Sequence, residues 1–199
     1  MGVELIELTV EDRPAWRRWL QRNHMASPGV WLTLARKGKP GPTTLTYDEA
    51  LEESLCFGWI DGQRGAGDGT TARQRFTHRG PRSRWSARNV DIVQRLQAEG
   101  RMEPEGEAEV ARAQADGRWD GAYAGPGKSV VPTDLAAALR GDPAAQAMFE
   151  ILTSQNRYAI LYRLEAARRP ETRAANIAKF VAMLARGETV HPQKRQITE

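Results

Sequence analysis

The stretch Leu45-Thr46-Tyr47-Asp48-Glu49-Ala50-Leu51-Glu52-Glu53-Ser54-Leu55-Cys56-Phe57-Gly58-Trp59-Ile60-Asp61-Gly62 organises the rest of this chain. Thr46 and Glu49 have the spacing of a capping box, in which hydroxyl and carboxylate each satisfy an orphan backbone N–H. The pattern predicts a helix over Tyr47 to Phe57. Tyr47, Ala50, Leu51, Ser54 and Leu55 recur on its inner face, and Asp48, Glu49, Glu52 and Glu53 face solvent. Gly58 stops it, because glycine takes the left-handed conformation without steric cost. Trp59 and Asp61 are then held at the mouth of a short helix. Asp61 can serve as an acid or base, as an acceptor for a hydroxyl or amine, or as the Asp of a tight Asp-Gly turn.

Outward from this stretch, two strands are expected over Trp59 to Arg64 and Ala72 to Arg79. The loop between them carries Gly65, Gly67 and Gly69. It lacks the Gly-Lys-Ser/Thr ending of a phosphate-cradling loop and leads into a strand, so it reads as a hairpin tip. Arg73, Arg75, Arg79, Arg82, Arg84 and Arg88 follow with no acidic residue among them, interleaved with Phe76, His78 and Trp85. Alternation puts Arg73, Arg75 and Thr77 on one side of the strand and Gln74, Phe76 and His78 on the other. Guanidinium groups beside aromatics can grip an anion and stack a ring. The competing reading is a solvated face whose arginines pair with Glu49, Glu52 and Glu53. The candidate ligand-binding set is Trp59, Asp61, Arg73, Arg75, Phe76, Arg82, Arg84 and Trp85. Of these, Trp59, Asp61, Arg75, Arg82 and Trp85 are expected to converge on one concave surface.

Upstream, Thr9 and Asp12 suggest another capped helix, with Trp16, Trp19 and Leu20 on one face and His24 near its end. Gly29 to Arg36 reads as a strand, rich in β-favouring residues between Pro-Gly and Gly-Pro boundaries. Downstream, Ser86 caps a helix to about Glu99 with Val90, Val93 and Leu96 inward, and Pro104 opens an acidic helix that ends at Gly117. Trp119 returns to the core. Residues 121–132, rich in Gly and Pro, read as a linker. Beyond it the pattern is helical only: Thr133 caps one helix, Asp142-Pro143 starts the next, Ser154 caps a third and Pro170 opens the last. Ala174, Ile177, Ala178, Val181 and Leu184 share one face of the last helix. The expectation is an α+β domain over 1–120 with a small antiparallel sheet packed on helices, a helical module over 133–188 and a polar, frayed tail over 189–199.

With 199 residues, 40% hydrophobic and 27% charged, the composition is that of a globular protein long enough to bury a good core. No apolar run approaches the roughly 20 residues needed to span a bilayer. The N-terminus lacks the basic start and apolar core of a signal peptide, so the cytoplasm is the expected location. The single cysteine, Cys56, excludes an internal disulfide, and its place near a helix C-terminus makes it a poor nucleophile. His24, His78 and His191 have no metal-ligand spacing, and no cofactor signature is present. Of the 29 basic residues five are lysine. Arginine's planar fork suits phosphate and carboxylate. Arg157, Arg163, Arg168, Arg169, Arg173 and Lys179 add a basic surface to the last helices, fit for nucleic acid or an acidic partner.

Leu45-Thr-Tyr-Asp-Glu-Ala, Cys56-Phe-Gly-Trp-Ile-Asp-Gly, Gln74-Arg-Phe-Thr, Ser83-Arg-Trp-Ser, Gly100-Arg-Met and Asp116-Gly-Arg-Trp-Asp together resemble the YdeI/OmpD-associated family, a bacterial group named for bacteriocin protection. Arg169-Pro-Glu-Thr-Arg-Ala-Ala-Asn-Ile-Ala-Lys resembles that family's C-terminal helical module. The resemblance runs from about Trp16 to Glu188 and departs at His78 and at Gly80-Pro81. It implies an intracellular protein tied to tolerance of antimicrobial peptides or envelope stress, and brings no established catalytic mechanism. Three functions stay open. One is a non-enzymatic protein holding a small anionic ligand or an acidic protein segment. Another is a small-molecule enzyme with Asp61 as acid or base and Arg75 and Arg82 as substrate clamps. The third is a nucleic-acid binder using the arginine hairpin and the basic C-terminal helices.

Overall fold

The capping box forms as the spacing requires. In the computed structural model, which describes residues 4–123 and 130–195, Thr46 Oγ1 accepts from the Glu49 backbone N–H at 3.4 Å. Glu49 Oε2 accepts from the Thr46 N–H at 2.9 Å. The helix they start, α2, spans Tyr47–Cys56. Gly58 follows with φ +71°, and a Cβ there would lie 3.0 Å from the Glu105 carbonyl oxygen. Gly58→Val therefore meets both a left-handed backbone and a neighbour that cannot withdraw. It is expected to destabilise by roughly 1 kcal/mol or more. An unchanged melting temperature would show that the turn tolerates a β-branched side chain.

Before α2 come β1 (Ile6–Leu8), α1 (Arg13–Asn23) and β2 (Val30–Ala35). After it come β3 (Trp59–Gly65), β4 (Thr71–His78), α3 (Ala87–Ala98) and α4 (Pro104–Ala115). The strands form one sheet in the order β1-β2-β4-β3. The β2–β4 and β3–β4 pairs are antiparallel, but β1 pairs parallel to β2, so the sheet is mixed rather than wholly antiparallel. Helix α1 is the crossover that a parallel pair requires. Its cap is Asp12, which accepts from the Ala15 N–H at 2.9 Å, whereas Thr9 donates to the Thr33 hydroxyl. Leu32, Leu34, Gln74 and Phe76 are buried beneath the helices, and Arg75 stands exposed on the opposite face.

Tryptophans fill the layer between sheet and helices. Trp16 stacks on Trp19 at 5.2 Å, meets the edge of Trp59 at 6.4 Å and lies 6.0 Å from Phe76. Buried indoles need partners for their N–H groups. Trp16 donates to the Ala50 carbonyl and Trp59 to that of His24. Helix α2 departs from the expected polarity at one position. Glu53 is 2% exposed and accepts hydrogen bonds from Arg13, Arg17 and Arg101 at 2.6, 2.8 and 2.6 Å. Glu52 pairs with Arg13 and Arg95. Glu52 and Glu53 are thus matched by arginines of α1, α3 and the α3–α4 turn, not by those of the hairpin, and Glu49 is spent on the capping box.

The chain divides into two compact units, Met1–Ala122 and Tyr123–Glu199. Much of the expected 121–132 linker lies at 124–129, outside the described residues. The second unit comprises α5 (Thr133–Arg140), α6 (Pro143–Glu150), α7 (Ser154–Ala166) and α8 (Pro170–Ala185) around Leu135, Leu139, Met148, Ile160, Leu164 and Leu184. Thr133 is the first residue of α5 rather than its cap, and Thr153, not Ser154, caps α7. On α8 the buried residues are Ile177, Phe180 and Leu184, while Ala174 and Ala178 are exposed. The bulkier Phe180 takes the core and rotates the face. The tail does not fray where described, since Asn156 Nδ2 donates to the His191 carbonyl and Gln193 Oε1 accepts from the Thr153 N–H.

Each unit has its own hydrophobic cluster. Residues 1–122 expressed alone are therefore expected to unfold cooperatively with protected tryptophans, because all six tryptophans precede residue 120. Loss of a cooperative transition in that fragment would refute separable folding.

Candidate functional site

The site is built by an irregularity in the hairpin. In the β3–β4 ladder, Asp61 pairs with Phe76 and Arg64 with Gln74, so Gly62 and Gln63 together oppose Arg75. This is a β-bulge, which bends a strand and re-aims its side chains. A bulge leaves backbone groups outside the ladder, and here a buried side chain satisfies them. Gln74 Nε2 donates to the Gly62 carbonyl at 2.7 Å and to the Gln63 carbonyl at 3.3 Å.

Beside the bulge lies a pocket of about 430 Å³, within the range of small-molecule sites. Its inner wall holds Leu34, Ala72, Gln74, Tyr47 and Asp61. Tyr47 is the first residue of α2, and its hydroxyl donates to Asp61 Oδ2 at 2.9 Å. Burial, reinforced by the Asp61 carboxylate, pushes the Tyr47 phenol well above its usual range, so it keeps its proton and acts as a donor. The second Asp61 oxygen, Oδ1, takes no hydrogen bond among the described residues.

The rim is cationic. Arg36, Lys37, Arg64 and Arg73 line the pocket, with Asp61 its one carboxylate. Arg36, Lys37 and Arg64 are exposed and carry no ion pair among the described residues. Arg73 is committed elsewhere. It pairs with Glu7 at 2.6 Å and its guanidinium lies 5.4 Å from the centre of the Trp31 ring. Arg36 Nη1 also donates to the Gly69 carbonyl, tying the end of β2 to the hairpin tip. Asp68 organises that tip by accepting from the backbone and hydroxyl groups of Thr71 and Thr70. These bonds, the Thr71 N–H first, hold its carboxyl well below the usual carboxylate range.

Of the residues singled out in the sequence, Asp61 and Arg73 line this pocket and the other six do not. Trp59, Phe76 and Trp85 are 0%, 0% and 2% exposed and belong to the core, where burying a large aromatic outweighs presenting it. Arg75 projects from the opposite sheet face, Arg82 is exposed and Arg84 half-buried beyond the end of β4. The arginine cluster is dispersed. Arg79 is buried with its guanidinium 3.6 Å from the centre of the Trp85 ring, and Arg88 pairs with Asp48 at 2.6 Å. Strand alternation and the turn after His78 send the cations to different surfaces. Tyr47, Gln74, Arg36, Lys37 and Arg64 were missed. The signal available for Tyr47 was its position as the first residue of a capped helix, and for Arg36, Lys37 and Arg64 their places at strand ends that a hairpin would align.

Cys56 is buried, and burial pushes its thiol up to about 11, in keeping with an unreactive group. Among the described residues no cluster of three metal-ligating side chains occurs, and no helix is long and apolar enough to cross a membrane.

These features define an α+β domain with a basic pocket at the hairpin end of its sheet, in a chain that continues into a helical unit. Residues 8–109 match the family model described as a domain of unknown function, DUF8412, and residues 128–187 match the model described as bacteriocin-protection, YdeI or OmpD-associated. The first match covers just over half of the chain, which therefore belongs to the DUF8412 family. The resemblance to the YdeI/OmpD-associated family is supported over 128–187, whereas the motifs at Leu45 and Cys56 fall in the DUF8412 segment. No curated protein and no solved structure matches the chain.

Proposed function

We propose that this protein is a non-enzymatic binding protein whose N-terminal unit holds a small anionic ligand in the pocket between Tyr47 and the β3–β4 hairpin. The observation that carries this reading is the rim of Arg36, Lys37 and Arg64, three cations without an ion-pair partner among the described residues. Like charges held around one concavity repel, and an anion relieves the repulsion. Arginine and lysine at the mouth also raise the local concentration of anionic ligands. Binding rather than catalysis is favoured because the Tyr47 phenol keeps its proton in a hydrogen bond to Asp61, which leaves the pair a fixed donor–acceptor unit. The bacteriocin-protection description attached to the 128–187 match supports placing this binding in a bacteriocin-tolerance function.

Phosphate or sulfate is expected to raise the melting temperature more than chloride at matched ionic strength, since general screening acts through any salt. A ligand at a hundred-fold excess over its dissociation constant stabilises by about 2.7 kcal/mol. Arg36→Ala combined with Arg64→Ala should abolish most of that shift. Equal shifts with chloride, or an undiminished shift in the double variant, would overturn the reading. A steep fall in oligonucleotide affinity with salt, carried by the basic helices and not by this pocket, would favour nucleic-acid binding instead.

A further inference from the structure

We infer that the pocket recognises a hydroxyl-bearing phosphate monoester, a small sugar or polyol phosphate, with its hydroxyls directed to Asp61 and its phosphate to the rim. This rests on the anion-binding reading above and adds the part of the ligand that a simple anion lacks. The pocket has two chemically opposite ends. At the rim stand the exposed cations Arg36, Lys37 and Arg64. The half-buried Asp61 carboxylate lies further in, with Oδ2 held by Tyr47 at 2.9 Å and Oδ1 without a hydrogen bond among the described residues.

A bare anion filling the pocket would press against this carboxylate, so the negative end of a ligand belongs at the rim. The acceptor inside then calls for a donor on the same ligand. An ammonium is a poor choice there, because the surrounding cations repel it. A hydroxyl carries no charge, and carboxylates accept from sugar hydroxyls in the same way at ribose sites. Asp61 and Arg64 are three residues apart on β3, but the bulge sets them opposite Phe76 and Gln74, which are two residues apart on β4, so roughly 7 Å separates them along the sheet. Side chains reaching in from both ends can bracket a ligand of a few carbons within the 430 Å³ available.

The bulge supports the assignment. Gln74 spends its amide donor on the Gly62 and Gln63 carbonyls, which holds the strand kinked between the two ends. Tyr47 is held in its turn, since Arg88 lies 5.6 Å from the centre of its ring and pairs with Asp48 at 2.6 Å. The acceptor is therefore pre-oriented, and little ordering is left for the ligand to impose.

The test is calorimetric titration of the full chain with ribose 5-phosphate, glycerol 3-phosphate and propyl phosphate. The last two differ only in two hydroxyls. Glycerol 3-phosphate is expected to bind about ten-fold tighter than propyl phosphate, since a satisfied charged acceptor contributes on the order of one decade or more. Ribose 5-phosphate should bind at least as tightly as glycerol 3-phosphate. In Asp61→Asn, and more weakly in Tyr47→Phe, the ratio between the two three-carbon ligands should fall towards one. Equal affinities in the wild type, or a ratio unchanged in Asp61→Asn, would overturn this inference and leave the anion site standing. If none of the three binds, the anion-binding reading itself fails. The wild-type ligand pair decides the matter even where a variant does not fold.

Discussion

Glu53→Ala is expected to destabilise the protein by about 3 kcal/mol, the largest loss from removing one side-chain charge in the N-terminal unit. Glu53 is 2% exposed and is held by Arg13, Arg17 and Arg101. Removing one member of a buried pair costs about 3–5 kcal/mol, because the remaining charge stays desolvated and unpaired. The lower end applies here, since the three arginine side chains keep 26–30% exposure and can recover some hydration. Glu52 is the control. Its side chain is 17% exposed and shares Arg13 and Arg95, so Glu52→Ala should cost about 1 kcal/mol at most. Chemical denaturation of the two variants checks the pair of values. Equal, small losses would mean that the Glu53 network is screened like any surface pair.

Gly106→Val should be comparably damaging, for a steric reason. Gly106 lies in the first half of α4, and a Cβ built there would stand 2.2 Å from the Cys56 carbonyl oxygen at the end of α2. That carbonyl is already engaged by the Glu103 N–H at 3.0 Å, so it is backbone in a fixed place. Overpacking usually costs about 1–3 kcal/mol, and a contact this close, which no side-chain rotation relieves, puts the substitution at or above the upper end. Gly106→Ala should show most of the effect, since the first added carbon makes the clash. A melting temperature within a degree of wild type would show that α4 can move away from α2 without loss.

The elements with local signals were legible in the sequence. Thr46 with Glu49, Gly58, Ser86 and Pro104 mark helix ends through capping and φ preferences, and all act where expected. The β2–β4–β3 core of the sheet followed from runs of β-favouring residues with glycine between them. What escaped depends on partners distant in the chain. Strand β1 has three residues and no flanking signal, and only its parallel pairing with β2 makes it a strand. Glu53 reads as solvent-facing from α2 alone, and its burial comes from arginines contributed by other elements. On α8, Ile177 and Leu184 are buried as the pattern expects, but Phe180 rather than Ala174 and Ala178 completes the face, because alanine fits either environment.

The candidate site divides in the same way. Asp61 could be found because a carboxylate follows directly on a helix stop. Tyr47 meets it through a contact fourteen positions away in sequence, which no periodicity encodes. The bulge at Gly62 and Gln63 depends on the match between two strands, so its effect on Arg64 and Arg73 could not be read from either strand alone. The run of arginines is no cluster, because proximity in sequence is not proximity in space. Along a strand, neighbours point apart.

An anion site at the hairpin pocket can be mapped by amide-resolved NMR of the full 22.2 kDa chain during titration with phosphate at constant ionic strength. Saturable shifts are expected at the amides of Ala35 to Lys37, Asp61 to Arg64 and Ala72 to Gln74, absent when chloride replaces phosphate. Shifts spread over the basic surfaces of both units without saturation, or none at these positions, would contradict an anion site there.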